Sequence, residues 1–160
     1  MSIQLDKVQP KNKAQLKSLI EYAFNHNIYD LNFIDTSKIT DMSNLFMNCE
    51  YDIDVSNWDV SNVTNMYNMF YCCKNFDCDL SNWNVSNVTD MYSMFIACEN
   101  FKGKGLENWD VSNVTNMYSM FTMCKNFKGK GLENWNVTNV TNMRRMFDGC
   151  NKMTIPNWYK

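Results

Sequence analysis

Large apolar residues recur along most of this chain at a regular step, with short polar stretches between them. Four residue types return every 24 to 26 residues: Trp58, Trp83, Trp109 and Trp135; Met42, Met66, Met91, Met117 and Met143; Phe46, Phe70, Phe95, Phe121 and Phe147; Cys49, Cys73, Cys98, Cys124 and Cys150. A constant period of this length is typical of stacked repeat units. The sequence therefore predicts about five units plus a partial final unit, TIPNWYK, over residues 31–160.

Within each unit the spacing of apolar residues changes from one half to the other. In the first half, Trp83 and Val85 alternate around one polar residue, which predicts a short strand with one buried face. The second half has apolar residues at i, i+3, i+4 and i+7, as in Met66, Met69, Phe70 and Cys73. This spacing predicts one face of a short helix, with a threonine such as Thr64 at its N-cap.

The first 30 residues do not repeat. The segment PKNKAQLKSLIEYAFNHN has helical spacing of its apolar residues, at Leu16, Leu19, Ile20 and Phe24. We expect an amphipathic helix that covers the open end of the stack, because terminal repeats need a cap. The predicted fold is an α/β solenoid of short parallel strands and short helices, with residues 1–30 as helical cap and 31–160 as repeat solenoid.

One long pattern, W[DN]VSNVT[ND]M..MF..C..F, covers about 130 of the 160 residues, and IDTSKITDMSNLF reads as a first repeat. It resembles the repeat of the BspA-family leucine-rich repeat surface proteins of bacteria, also found in mycoplasma-type lipoproteins. The resemblance implies a leucine-rich-repeat-like fold. It also implies a non-enzymatic binding role, often at the cell surface. The family implies no particular ligand, so no binding residues follow from it.

Composition and charge narrow the function classes. The net charge is −2 without a basic block, which gives no indication of nucleic-acid binding. The single histidine, His26, lies outside the repeats, and no clustered catalytic set is visible, so we expect neither an enzyme nor a cofactor. The start, MSIQLDKVQPKNKAQ, lacks an export-signal pattern, and no stretch suits membrane insertion. The chain as given is expected to be cytoplasmic; the resemblance implies the cell surface or secretion instead.

The methionine and cysteine columns admit two interpretations. Thioether and thiolate are soft ligands, so a Cu(I)-binding or storage protein is the alternative function. The favoured interpretation places Met66, Met69 and Cys73 in the core, because they share a predicted face with Phe70. Reduced thiols are favoured over disulfides, and Cys72 and Cys78, outside the column, are expected to be exposed. The repeated N-x-T triplets are expected to satisfy backbone groups at turns rather than to carry glycans.

Two exposed columns are the predicted binding residues. One is aromatic: Tyr67, Tyr92 and Tyr118. The other is polar and lies between Trp and Val of each unit: Asp59, Asn84, Asp110 and Asn136. Tyrosines are common binding anchors, because they offer a large contact area at low entropic cost. We expect a protein partner on the extended surface, and the open end near Trp158 also allows an end-to-end dimer.

Overall fold

The repeat units consist of successive four-residue turns. The structure is a computed structural model that describes residues 6–160. That range contains one α-helix, α1 (Lys13–Asn25), two short 3₁₀ helices (Leu106–Asn108 and Leu132–Asn134) and six isolated parallel bridges. In each turn the N–H of the fourth residue donates to the C=O of the first, as in Val55–Trp58, Val60–Val63, Met66–Met69 and Phe70–Cys73. The predicted α/β solenoid of short parallel strands and short helices is therefore wrong.

Left-handed residues explain why the predicted helices do not form. Each helix-like segment contains two residues with positive φ, such as Asn68 at 53° and Cys72 at 59°, and α-helical residues need negative φ. Met66, Met69, Phe70 and Cys73 are the first and fourth residues of two consecutive turns. Two such turns place apolar residues at i, i+3, i+4 and i+7, which is also the spacing of a helix face.

The predicted strands and helix N-caps are replaced by turn interactions as well. Trp58 closes one turn and Val60 opens the next, so their alternation needs no strand. Thr64, the predicted N-cap residue, donates its hydroxyl to the C=O of Thr40 at 3.3 Å. Asn65 instead accepts the N–H of Tyr67 at 3.0 Å, which makes an Asx turn.

Backbone hydrogen bonds join neighbouring units in register. The five turn segments, defined here as residues 41–49, 65–73, 90–98, 116–124 and 142–150, follow one pattern. Alternate N–H groups of one segment donate to C=O groups of the next; in one pair the donors are Met66, Asn68, Phe70 and Cys72, and the acceptors are Asp90, Tyr92, Met94 and Ile96, at 2.7 to 2.9 Å. The Thr64 C=O of the same pair accepts in the other direction, from the N–H groups of Thr89 at 2.9 Å and Asp90 at 3.4 Å. Four such interfaces fix the step from unit to unit.

Aromatic side chains stack along the same direction and form the core. The rings of Phe46, Phe70, Phe95, Phe121 and Phe147 follow one another at centroid distances of 5.5 to 5.9 Å, with interplanar angles of 3° to 6°. Trp83, Trp109, Trp135 and Trp158 form a second column at 6.3 to 6.5 Å. Each tryptophan N–H donates to a C=O of the preceding unit, so its polar atom is satisfied inside the core.

Helix α1 packs against the first unit. Asn12 caps it by accepting the N–H of Gln15 at 3.0 Å, and Leu16, Ile20 and Ala23 are buried. Lys13 pairs with Asp41 at 3.0 Å, which ties the helix start to the first turn segment. The helix lies in the segment for which the sequence predicts one, whereas the boundary at residue 30 stays a prediction. No helix among residues 6–160 is long and apolar enough to cross a membrane.

The two Lys-Gly-Lys-Gly inserts end at glycines that the packing requires. Gly105 precedes the 3₁₀ helix Leu106–Asn108 and has φ of 94°, in the left-handed region. A Cβ built on Gly105 would lie 2.2 Å from the backbone nitrogen of Ser81 in the preceding unit. The insert therefore fits only because its backbone at Gly105 lies close to the backbone of the preceding unit. A side chain at Gly105 would prevent this contact.

Phe95→Ala should lower the free energy of unfolding by about 3–5 kcal/mol, because Phe95 is fully buried between Phe70 and Phe121. Urea unfolding followed by tryptophan fluorescence measures the change. The exposed Lys17→Ala on α1 is the control and should change stability by less than about 0.5 kcal/mol. Equal stability of Phe95→Ala and the wild type would contradict this packing.

Gly105→Ala should destabilise the protein by at least about 2 kcal/mol, since left-handed φ alone costs an alanine about 1–2 kcal/mol and the Ser81 contact adds to it. Lys128→Ala, an exposed position in the second insert, is the control and should be nearly neutral. Thermal unfolding of both variants provides the comparison. A neutral Gly105→Ala would show that the insert does not approach Ser81.

Candidate binding surface

The tyrosine stripe, defined as Tyr67, Tyr92 and Tyr118, is a stacked column of half-buried rings. Ring centroids are 4.9 Å apart between the first two and 5.1 Å apart between the second and third, with interplanar angles of 15° and 14°. The faces of Tyr92 are therefore covered by its neighbours, and the accessible part of that ring is its edge. The sequence prediction that these residues form a column is confirmed, whereas their binding role stays a prediction.

The turn segments hold the stripe in place. Each tyrosine N–H donates to the Asx side chain two residues earlier: Tyr67 to Asn65 at 3.0 Å, Tyr92 to Asp90 at 2.9 Å and Tyr118 to Asn116 at 3.3 Å. The tyrosine C=O groups accept hydrogen bonds from backbone N–H groups of the preceding turn segment. Both sides of each tyrosine backbone are thus fixed before any partner binds.

The stripe has a positively charged residue at the end next to Tyr118. Arg144 follows Tyr118 in the column and is exposed. A hydrogen bond from Arg145 lowers the pKa of the Tyr118 hydroxyl, and Arg145 also donates to Asp148 at 3.2 Å. The stripe therefore runs from tyrosine hydroxyls to a positively charged end, at which a carboxylate would bind favourably.

The side chains of the polar column close local turns. Asp59, Asn84, Asp110 and Asn136 are exposed as predicted, and each accepts the backbone N–H two residues later at 3.0 to 3.2 Å. Hydrogen bonds from Ser112 lower the pKa of Asp110. Within residues 6–160, no hydrogen bond joins this column to the tyrosine stripe. The structure thus gives these residues a local role, and a contribution to binding stays a prediction.

The N-x-T triplets serve the stack. The side-chain amide N–H groups of Asn62, Asn87, Asn113 and Asn139 donate to C=O groups of the preceding unit at 2.7 to 2.8 Å. The threonine hydroxyls of the same triplets donate to the preceding threonine C=O at 3.0 to 3.3 Å. The predicted role of these triplets in satisfying backbone groups is confirmed.

The cysteine and methionine columns belong to the core. Met66, Met69 and Cys73 are fully buried, which confirms the core interpretation. The Cys73 Sγ–H donates to the Phe46 C=O at 2.9 Å, and Cys98, Cys124 and Cys150 repeat this bond. Burial raises the pKa of the Cys73 and Cys98 thiols well above the ordinary range, so the thiolate that a metal would need is disfavoured. All seven cysteines are free thiols.

Two cysteines outside the column behave differently from each other. Cys78 is 9% exposed, so the prediction that it is exposed is wrong; burial raises the pKa of its thiol to about 12. Cys72 is half-exposed and lines a cavity of about 540 Å³ with Asn48, Cys49, Glu50, Lys74 and Asn75. The sequence signal for this cavity is weak, because its lining residues are not columns of the repeat.

Comparison with known proteins identifies the family. A family model described as Mycoplasma protein of unknown function, DUF285, matches residues 14–105 and 89–159. The chain belongs to this family. Neither the search of curated proteins nor the search of solved structures found a match. The family match is consistent with a mycoplasma-type repeat protein, as the sequence resemblance implies, and the narrower BspA relationship stays a proposal.

Cys72 should react with iodoacetamide in the folded protein much faster than Cys73, Cys98 and Cys124, because Cys72 is half-exposed and the other three thiols are buried and hydrogen-bonded. Mass spectrometry of tryptic peptides measures the rates, and Cys72→Ser is the control. In urea the four rates should converge. Rapid native labelling of Cys98 would contradict its place in the core.

Proposed function

We propose that this chain is a non-enzymatic, BspA-like binding protein that recognises a protein partner through the tyrosine stripe. The observation that carries the proposal is the stacked, half-buried column of Tyr67, Tyr92 and Tyr118. Most other strictly repeated side chains are either buried or hydrogen-bonded to neighbouring backbone. The tyrosines combine partial exposure with aromatic area, and tyrosine is enriched at interface hot spots.

Preorganisation supports this proposal. The stripe rests on turn segments joined by backbone hydrogen bonds of 2.7 to 3.0 Å, and each ring is in contact with another ring of the stripe. A partner would therefore find the side chains already ordered, which reduces the entropic cost of association. The regular ring spacing of about 5 Å also suits an extended partner segment that lies along the stack.

The positively charged end narrows the chemistry of the partner. Arg144 continues the column beyond Tyr118, and the exposed edges of tyrosine rings carry partial positive charge. A partner segment with a carboxylate beside Arg144 and carbonyl or carboxylate oxygens along the tyrosine hydroxyls fits this surface best. Such a contact is expected to weaken as salt concentration rises.

The Cu(I)-storage alternative has less support. A thiolate ligand would require Cys73 or Cys98 to lose its proton in an apolar environment that raises the thiol pKa. It would also break the Sγ–H bonds to the preceding unit. Metal binding in the columns would therefore require the core to open.

Replacing the three stripe tyrosines with serine should weaken partner capture. The wild-type chain serves as bait against both cytosolic and envelope fractions of the source cells, because the location of the partner is itself a proposal. The captured protein is identified by mass spectrometry, and its affinity is measured with purified components. We expect the triple variant Tyr67→Ser, Tyr92→Ser, Tyr118→Ser to bind at least tenfold more weakly.

Tyr22→Ser is the matched control, since Tyr22 is 56% exposed on α1 and lies outside the stripe. It should bind like the wild type. Thermal unfolding of all variants separates loss of binding from loss of structure. Equal affinity of the folded triple variant and the wild type would contradict the stripe as the binding surface.

A further inference from the structure

The loops that precede each new unit carry pairs of charged residues. Each pair lies between the cysteine of one unit and the valine or leucine that opens the next, and one buried residue separates its two members. Because the middle residue is buried, both charged side chains of a loop lie on the same outer side. The four loops are Asp52-Ile53-Asp54, Asp77-Cys78-Asp79, Lys102-Gly103-Lys104 and Lys128-Gly129-Lys130. Their eight charged residues are called the charged edge here.

Contacts between neighbouring loops hold the charged edge in register. The Cys78 Sγ–H donates to the Asp54 carboxylate at 3.6 Å, which joins the first loop to the second. The Lys102 N–H donates to the Asp77 carboxylate at 2.9 Å, which joins the second to the third. The third and fourth loops each follow a phenylalanine, and these two rings stack at 6.1 Å. The charged residues therefore follow the same step as the columns of the core.

The charge changes sign halfway along this edge. Aspartates occupy both positions in the first two loops, and lysines occupy both positions in the last two. At the boundary Lys102 pairs with Asp77, and Lys104 pairs with Asp79 at 2.6 Å. Within residues 6–160, no salt bridge includes the outer four charges: Asp52, Asp54, Lys128 and Lys130. The edge is therefore neutralised at its centre and oppositely charged at its two ends.

We propose that two copies of the chain associate through the charged edge, related by a two-fold axis that crosses the edge between the Asp77 and Lys102 loops. Rotation about this axis reverses the order of the units, so the acidic half of each copy faces the basic half of the other. Asp52 then lies opposite Lys128 of the second copy, and Asp54 lies opposite its Lys130. In a two-fold interface of this kind each contact occurs twice.

The arrangement of the charges favours a second copy over other occupants. A polyanion or a polycation would be attracted by one half of the edge and repelled by the other. Two copies in parallel orientation would place aspartates against aspartates. The antiparallel pair matches the sign of the charge at all eight positions, and the net charge of −2 adds little overall repulsion. This association uses no residue of the tyrosine stripe, so it is independent of the proposed function.

One acidic residue reduces the positive charge of the basic half without reversing it. Glu133 lines a cavity with Lys128 and Lys130, and the two lysines outnumber it. All three side chains are exposed and accessible to a second copy. The basic half therefore keeps the sign of charge that the acidic half requires.

Sedimentation velocity of the full chain at increasing concentration tests the proposal. Exposed ion pairs are individually weak and are screened by salt, so a weak dimer is expected at low ionic strength. We expect the dissociation constant of the dimer to rise at least tenfold between about 20 mM and about 500 mM NaCl. A chain that stays monomeric at low salt would overturn the proposal.

A charge swap locates the interface. Asp52→Lys and Lys128→Asp should each weaken self-association at least tenfold, because like charges then meet twice in the dimer. An equimolar mixture of the two variants should restore it, since every lysine at these positions again faces an aspartate. Asp52 is preferred to Asp54 for this test, because Asp54 also accepts the Ser56 N–H at 2.9 Å and closes a turn.

Two variants on α1 are the matched controls for net charge. Glu21→Lys and Lys17→Asp make the same changes in net charge at exposed positions outside the edge, and both should dimerise like the wild type. Thermal unfolding reports whether each variant is folded, and unfolded chains could not restore the dimer on mixing. The proposal is wrong if the mixture associates no better than its components. It is equally wrong if the α1 variants lose association as fully as the edge variants.

Discussion

The structure depends on hydrogen bonds between alternate backbone N–H groups of one turn segment and the C=O groups of the next. Each bond contributes about 0.5–1.5 kcal/mol net, and sixteen of them join the five segments, four at each of four interfaces. They require left-handed φ at two positions per segment, which non-glycine residues such as Asn68 and Cys72 adopt at a cost. The hydrogen bonds between turn segments and the packing of the buried side chains offset that cost. Because these bonds hold neighbouring units in register, equivalent phenylalanines and tryptophans stack on one another.

Most polar residues that repeat strictly are used by the stack itself. Indole N–H groups, cysteine thiols, asparagine amides and threonine hydroxyls all donate to C=O groups of the preceding unit. Their recurrence therefore reflects the satisfaction of backbone carbonyl groups rather than ligand chemistry. The surface that we propose for recognition is the half-buried tyrosine stripe, with its positive end at Arg144.

The repeat period predicts which residues of the candidate site align, but not what their side chains contact. A period of 24 to 26 residues is sufficient to align Tyr67, Tyr92 and Tyr118, and the alignment holds in the structure. The same period predicts Asp59 and Asp110 on the surface, but it does not indicate that their carboxylates close Asx turns. The prediction that Cys78 is exposed is wrong, because Cys78 is buried in the irregular loop before Leu80, where the repeat pattern makes no prediction.

The sequence by itself determined the alignment of the repeated residues, the apolar columns of the core and the presence of a helix near Lys13–Asn25, because these depend on periodicity and on local helical spacing. It did not determine the backbone conformation within a unit. Apolar residues at i, i+3, i+4 and i+7 suit one helix face and two consecutive turns equally well, and both bury the same side chains. Tertiary structure decided between them, since hydrogen bonds to residues 23 to 25 positions away replace those a helix would make within itself. Only the stacked units could supply these acceptors.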